Sequence, residues 1–325
     1  MLLSRTWLRR ILGLLWLIDG CLQLQPEMFT MNMVNGVMKP MLEGQPALIE
    51  PNLQYIVQTT TTHLTAVNLL IAIVQIILGI WFLIGFEVQW AVIVSVVWAL
   101  VVWYAGEGLS MLLTGTASIL TGAPGAVILY PILGFAVWPR RVTKKRAEKE
   151  ARGATREDSL LSRLQLRHIL GAFWIFGALL QVQPYWWQPG QISGTISGMV
   201  GQGGLDGFFI DPILQALSKI TNNVEIPLNI AFIVIFLALG LALFAARNNQ
   251  QLHIALVASM VVSFLIWYFA EGFGMIFTGM ATDFNSGLLL IVMALACWPT
   301  ASAFRAARSR YSRETLQGER SAQTV

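Results

Sequence analysis

LRRILGLLWLIDGCLQLQP, from Leu8 to Pro26, returns as LRHILGAFWIFGALLQVQP, from Leu166 to Pro184. Further along, WYAGEGLSMLLTG, from Trp103 to Gly115, returns in the same order as WYFAEGFGMIFTG, from Trp267 to Gly279. Each copy also carries several long apolar runs, so the repeated unit is a membrane module. Residues kept in both copies stand out from apolar filler.

Of the 325 residues, 56% are hydrophobic and only 12% charged, with a positive mean hydropathy. Such a chain cannot cover itself with an ordinary water-facing surface and is an integral membrane protein. Its net charge of +4 comes from basic residues clustered between and beyond the apolar runs, where they anchor loops in the cytoplasm; no nucleic-acid partner is implied. Cys21 and Cys297 occupy unrelated contexts without a CxxC spacing, which indicates neither a redox pair nor a metal site. The first residues resemble a signal peptide ending near Cys21. Asp19 interrupts the apolar stretch, however, and the matching stretch at Leu166 is internal, so the segment is read as a first membrane helix.

Crossing the hydrocarbon layer takes about 20 helical residues. The runs that qualify in the first half are Leu8 to Leu24, Leu64 to Phe86, Val88 to Ala105, and a stretch ending at Trp138 that starts between Ile119 and Ala123. The second half offers Leu166 to Val182, Ile226 to Ala246, Ile254 to Ala270 and Gly287 to Trp298. Arg5, Arg9 and Arg10 precede the first run, Arg140, Arg141, Lys144, Lys145 and Arg146 follow the fourth, and Arg305, Arg308 and Arg310 follow the eighth. Basic segments mark the cytoplasmic side, so each half makes an even number of crossings. The expectation is an all-α membrane protein of two parallel-repeat four-helix transmembrane modules, about eight helices, with both termini cytoplasmic. The halves would be related by an axis along the membrane normal. Residues 1–141 form the first module, 142–163 a charged cytoplasmic linker, 164–304 the second module, and 305–325 a polar cytoplasmic tail.

The long outer loops repeat as well. Ile49-Glu50-Pro51 aligns with Ile210-Asp211-Pro212 at the offset that also aligns Asn68 with Asn229. An acid followed by proline starts a helix, and the LQYIV and ILQAL that follow are apolar on one side. A short helix on the outer membrane surface is expected in each half, with Glu50 and Asp211 as its caps.

Following the chain through these crossings, Gln23 and Gln181 end the first helix of each half, Asn68 and Asn229 begin the second, and Glu107 and Glu271 lie at the end of the third. Trp103, Tyr104, Trp267 and Tyr268 lie just before these acids and read as interfacial belt residues. Two amides and a carboxylate thus meet near the outer face of each module. Glu107 sits between Gly106 and Gly108, where the chain either breaks and dips back or continues as a long helix; Ala270 replaces the first glycine in the second half. Acids inside apolar segments are costly and are candidates for proton handling, cation ligation or head-group binding. Glu107 and Glu271 carry that role here, with Gln23, Asn68, Gln181, Asn229, Tyr104, Tyr268 and Asp19 as binding candidates. The alternative is a structural clamp in which both glutamates accept hydrogen bonds from neighbouring side chains. Asp19 has Gly177 as its counterpart and breaks the symmetry, marking either one active half or a lone acid bonded to a neighbouring helix. His63, His168 and His253 form no matched pair, which speaks against bis-histidine haem ligation. No Walker A, HExxH, GxSxG or dinucleotide fingerprint occurs, so any chemistry uses lipid-soluble or partner-borne groups.

The arginine-led first helix LRRILGLLWLIDGCLQL, the long outer loop, and the glycine-containing LIAIVQIILGIWFLIGF followed closely by a third helix resemble the DoxX and DoxD family of bacterial and archaeal membrane proteins. This resemblance covers both halves and implies a fused tandem pair in a bacterial or archaeal cytoplasmic membrane. It further implies a subunit of a small-substrate oxidoreductase, as in thiosulfate:quinone oxidoreductase, with a quinone as cofactor and a redox partner subunit. The E-G-x-x-M-x-x-T-G signature maps onto no catalytic residue of that family. The first reading is therefore quinone-linked redox chemistry at the outer face; the alternatives are transport of a small solute or ion bound between the repeats, against which the polar groups' place near one face counts, and a non-catalytic scaffold or assembly factor.

Overall fold

The computed structural model describes residues 3–139, 159–201 and 210–299. The arginine clusters after the fourth and eighth runs, most of the 142–163 linker and the 305–325 tail lie outside the described residues. Among those residues the fold is all-helical, without a strand; one isolated bridge pairs Pro139 with Ser159. The first half holds α1 (Arg5–Leu22), α2 (Glu50–Thr62), α3 (Leu64–Ile84), α4 (Val88–Ala105) and α5 (Ala126–Val137). The second holds α6 (Arg163–Leu180), α7 (Gln191–Gly198), α8 (Asp211–Thr221), α9 (Glu225–Ala245), α10 (Asn249–Phe269) and α11 (Asn285–Ala296).

Local chemistry sets the ends. Ser4 Oγ accepts from Trp7 N at the start of α1, and Ser162 caps α6 together with Gln165; hydroxyl caps satisfy amides that no helical carbonyl reaches. Gly85, at φ 78°, closes α3 by donating its N–H to Trp81 O at 2.9 Å. α5 starts at Ala126, later than the sequence suggests, because Pro124 lacks an N–H and Gly125 stands at φ 125°. Both outer-loop helices begin at their acid-proline pair as expected, with one correction. Glu50 Oε1 accepts from the Gln54 side chain at 2.9 Å and Asp211 Oδ2 from Gly201 N at 3.0 Å, so neither carboxylate caps its own helix.

Four helices, α3, α4, α9 and α10, are long and apolar enough to cross a membrane. Their outward faces expose Ile73, Ile77, Val97, Ile230, Val234 and Val261. An apolar exterior of this extent suits lipid and not water. The two short helices, α5 and α11, pack against each other at the centre, with α1 against α5 and α6 against α11. Leu129, Leu133, Leu289 and Met293 are fully buried there.

Close helix crossings rest on glycine. A Cβ on Gly79 would stand 2.5 Å from Leu17 N, and one on Gly240 would stand 2.7 Å from Gly171 O, so α3 meets α1 and α9 meets α6 nearly backbone to backbone. Matching bonds recur in the two halves. Trp16 Nε1 donates to Ser95 Oγ at 3.0 Å, and Trp174 Nε1 to Ser259 Oγ at 2.8 Å.

Candidate functional site

After α4 and again after α10 the chain turns left-handed. Gly108, Leu109, Ser110 and Met111 lie at φ 54°, 57°, 51° and 61°, and Gly272, Phe273, Gly274 and Met275 at 50°, 55°, 69° and 58°. Left-handed backbone costs a side-chain-bearing residue roughly 1–2 kcal/mol, and such strain persists where surrounding contacts fix it. Gln45 supplies one fixing contact, donating from Nε2 to both Met41 O and Gly108 O at 2.8 Å. The break at Glu107 therefore occurs, and it occurs in both halves despite Ala270.

Each turn swings its glutamate onto the start of a central helix. Glu107 Oε1 accepts from Val127 N at 3.2 Å and Oε2 from Ser110 Oγ at 2.8 Å. Glu271 Oε2 accepts from Gly287 N at 2.9 Å and Oε1 from Ser286 Oγ. A carboxylate at a helix N-terminus faces free N–H groups and the positive end of the dipole. Trp103 Nε1 donates to Pro124 O at 2.6 Å and Trp267 Nε1 to Phe284 O at 2.7 Å, so these indoles hold the segments leading into α5 and α11.

Glu107 and Glu271 face one cavity of about 380 Å³ between the halves, shared with Ser110, Thr121, Asp283 and Asn285. Burial pushes the Glu107 carboxyl up to about 8, with the Asp283 charge adding and the Ser110 and Val127 bonds opposing. Burial also lifts Glu271 to about 7, against the pull of Ser286 and Gly287. Asp283 is raised by burial too, restrained by Asn285 N and the Thr282 hydroxyl. A second cavity, about 270 Å³ and mainly apolar, adjoins the first and shares Glu107, Thr282 and Asp283. Asp19, Tyr130, Trp16 and Gln75 line it. Leu70 of α3 and Val101 of α4 belong both to this wall and to the exposed apolar exterior, so the chamber opens sideways between those helices.

Asp19, 1% exposed, accepts the Tyr130 hydroxyl proton at Oδ2. It is thus an acid bonded to a neighbouring helix, and it also faces the chamber. The amides behave otherwise than expected. Asn68 Nδ2 donates to Gln23 O at 2.7 Å and Asn229 Nδ2 to Gln181 O at 3.1 Å, satisfying carbonyls left free where α1 and α6 end. They tie helices together and do not orient the glutamates. The Gln181 side chain crosses to the other half and donates to Ser118 Oγ; the Gln23 side chain lines the apolar chamber. Tyr104 packs on the cluster around Met28 and Leu53, and Tyr268 on Phe269 and Phe273, and neither tyrosine lines either of these two cavities. His168 stacks on Phe244 and His253 on Trp298.

Sequence reasoning missed Tyr130, Asp283, Ser110 and Ser286. Asp283 and Tyr130 carried a signal of their own, an acid and a phenol standing where the other half has isoleucine and leucine.

Comparison with known proteins finds no matching family model, no matching curated relative and no matching solved structure.

Proposed function

We propose that this chain is an eight-crossing membrane protein that binds a small solute or ion between its two modules and moves it in exchange with protons held by Glu107 and Glu271. The single observation behind this reading is the cavity shared by both glutamates, each raised close to neutral pH and each contributed by a different half. Acids that titrate near pH 7 and face a cavity are suited to reversible proton transfer. Depth supports it as well. α5 and α11 have 12 residues each, roughly 18 Å of helix against a hydrocarbon layer of roughly 30 Å. The acids at their N-termini would therefore lie inside the membrane's thickness, deeper than the level near the outer face that the sequence alone suggests. The turns above them fill the remaining depth, and irregular backbone is tolerated there only where protein encloses it.

The quinone-linked reading, with its DoxX-like ancestry and a redox partner, keeps one specific support: an apolar chamber ending in a hydroxyl–carboxyl pair, Tyr130 and Asp19, suits a quinol head. Vesicles reconstituted with the protein separate the two. Cationic, neutral and anionic solutes are added across a pH gradient while a dye follows proton movement. One class should drive protons in the native protein and not in E107Q/E271Q that is at least as thermally stable as the native protein. If no class does so, and a quinone remains bound at fixed stoichiometry after mild extraction, the transport reading fails and the redox one replaces it.

A further inference from the structure

Three positions where the halves differ come together in space. Asp19 aligns with Gly177. The bonds from Val127 N to Glu107 and from Gly287 N to Glu271 set α5 and α11 in register, and three residues on Tyr130 corresponds to Leu290. Counting on from Thr114-Gly115 and Thr278-Gly279, Ile119 corresponds to Asp283. In the second half the apolar members meet: the Ile119 side chain presses so closely on Gly177 that no Cβ fits there, and Leu290 is fully buried. In the first half the polar members meet, with Tyr130 donating to Asp19 and Asp283 on the same wall. Each half's connecting segment reaches into the other, so one site is filled and its twin is open.

The open site holds three buried acceptors without a partner. Asp19 Oδ1, Gln23 Oε1 and Gln75 Oε1 are buried, line the chamber and have no partner. Asp19 and Gln23 are four residues apart on α1 and so share a face; Gln75 lies on α3, which packs against α1. Orphaned buried acceptors are costly and mark places where a donor is missing. One donor, Trp98 Nε1, is also buried without a partner on this wall, and the Gln23 and Gln75 amide nitrogens stand beside their oxygens, so what the wall does not supply is positive charge. No lysine, arginine or histidine among the described residues lines the chamber or the adjoining cavity. An ammonium group answers this deficit with charge and three N–H donors. Among the described residues no group of three His, Cys, Asp or Glu side chains is arranged to hold a metal ion. The sideways opening between α3 and α4 and the walls of Trp16, Trp98 and Ile71 suit an apolar arm, with the indole faces attracting the cation.

We propose that the chamber is a single-copy site for a small amphipathic amine, its ammonium held by Asp19, Asp283, Gln23 and Gln75 and its apolar arm between α3 and α4, while Ile119 plugs the twin site. This assignment rests on the solute-binding reading and names its substrate class.

The full chain in lipid nanodiscs is titrated with 2-phenylethylamine, and with 2-phenylethanol and phenylacetate as neutral and anionic counterparts, by calorimetry and tryptophan fluorescence. The amine should bind once per chain and at least tenfold more tightly than the alcohol. D19N should weaken it at least tenfold. Should D19N fail to fold, Q75L, which removes one orphaned acceptor, should weaken it several-fold with the thermal transition intact. Two sites per chain, an alcohol that binds as well as the amine, or indifference of a folded D19N and Q75L would overturn the proposal. If in those cases another solute still moves protons through Glu107 and Glu271, only the cation assignment falls. With no probe bound and no solute-driven proton movement, both readings fall.

Discussion

Glu107→Gln should flatten the pH dependence of stability. The wild-type carboxyl is held near 8 in the folded protein, chiefly by burial, against an ordinary value of 4.5. A folded-state acid raised in this way binds its proton more tightly than the unfolded chain does. Its stabilisation is complete below about pH 4.5 and is lost as pH rises through about 8. Between about pH 5 and about pH 9 this one group removes about 4 kcal/mol. At roughly 2–4 °C per kcal/mol for large domains, that is on the order of 10 °C in Tm. Glutamine resembles the protonated acid: its oxygen can still accept from Val127 N while its NH2 group donates to Ser110 Oγ. The variant should therefore match wild type near pH 5 and exceed it near pH 9. Glu271 and Asp283 remain and keep a residual slope, so the gap between the two curves is the measurement. The assay is thermal unfolding in nanodiscs across that pH range. Parallel curves, or a variant less stable than wild type at the alkaline end, would refute the claim that burial keeps Glu107 protonated at neutral pH.

Three further substitutions test the frame around the site. Gly79→Ala places a Cβ 2.5 Å from Leu17 N and 2.7 Å from Leu17 Cα; backbone atoms cannot yield as a side chain would, so a loss of about 1–3 kcal/mol or more is expected. Gly194→Ala, with nothing within 4 Å, should be neutral or gain about 0.4–1 kcal/mol, and equal Tm shifts for the two would contradict the crossing geometry. Asn68→Ala strands the buried Gln23 carbonyl, costing about 1–3 kcal/mol while leaving solute-driven proton movement unchanged; a transport defect without a stability loss would return Asn68 to the binding site.

The repeated WYxxEG stretch made Glu107 and Glu271 visible because doubling separates kept residues from filler, and the long runs of α3, α4, α9 and α10 were legible from apolar length alone. Other features depended on three-dimensional context. The start of α5 was set by Pro124 and Gly125 within a run that still reads as apolar. Asn68 and Gln23 were found as a pair, but the acceptor proved to be a main-chain carbonyl, which side-chain patterning does not register. The indoles of Trp103 and Trp267 looked like belt residues because sequence shows the amphipathic ring and not the carbonyl it meets. Asp283 and Tyr130 were lost for the opposite reason to the glutamates. A search for what two copies share discards what they do not, and this site is built from the differences.

Those differences bear on why the module occurs in tandem. Asp283 belongs to the second half and lines the first half's chamber, while Ile119 belongs to the first half and fills the second half's equivalent. The same exchange continues nearby, where Gln183 Nε2 and Trp186 Nε1 of the second half donate to Ala117 O of the first at 3.0 and 3.1 Å. Neither half of the chain alone lines the proposed site. Two open chambers flanking the packed α5–α11 pair would add a second set of unpaired buried carboxyls, whose desolvation and mutual repulsion would weaken the centre of the fold. Filling one chamber with isoleucine, leucine and a bare glycine turns that liability into packing, and leaves the charge-bearing machinery concentrated on one side of a shared, glutamate-lined cavity.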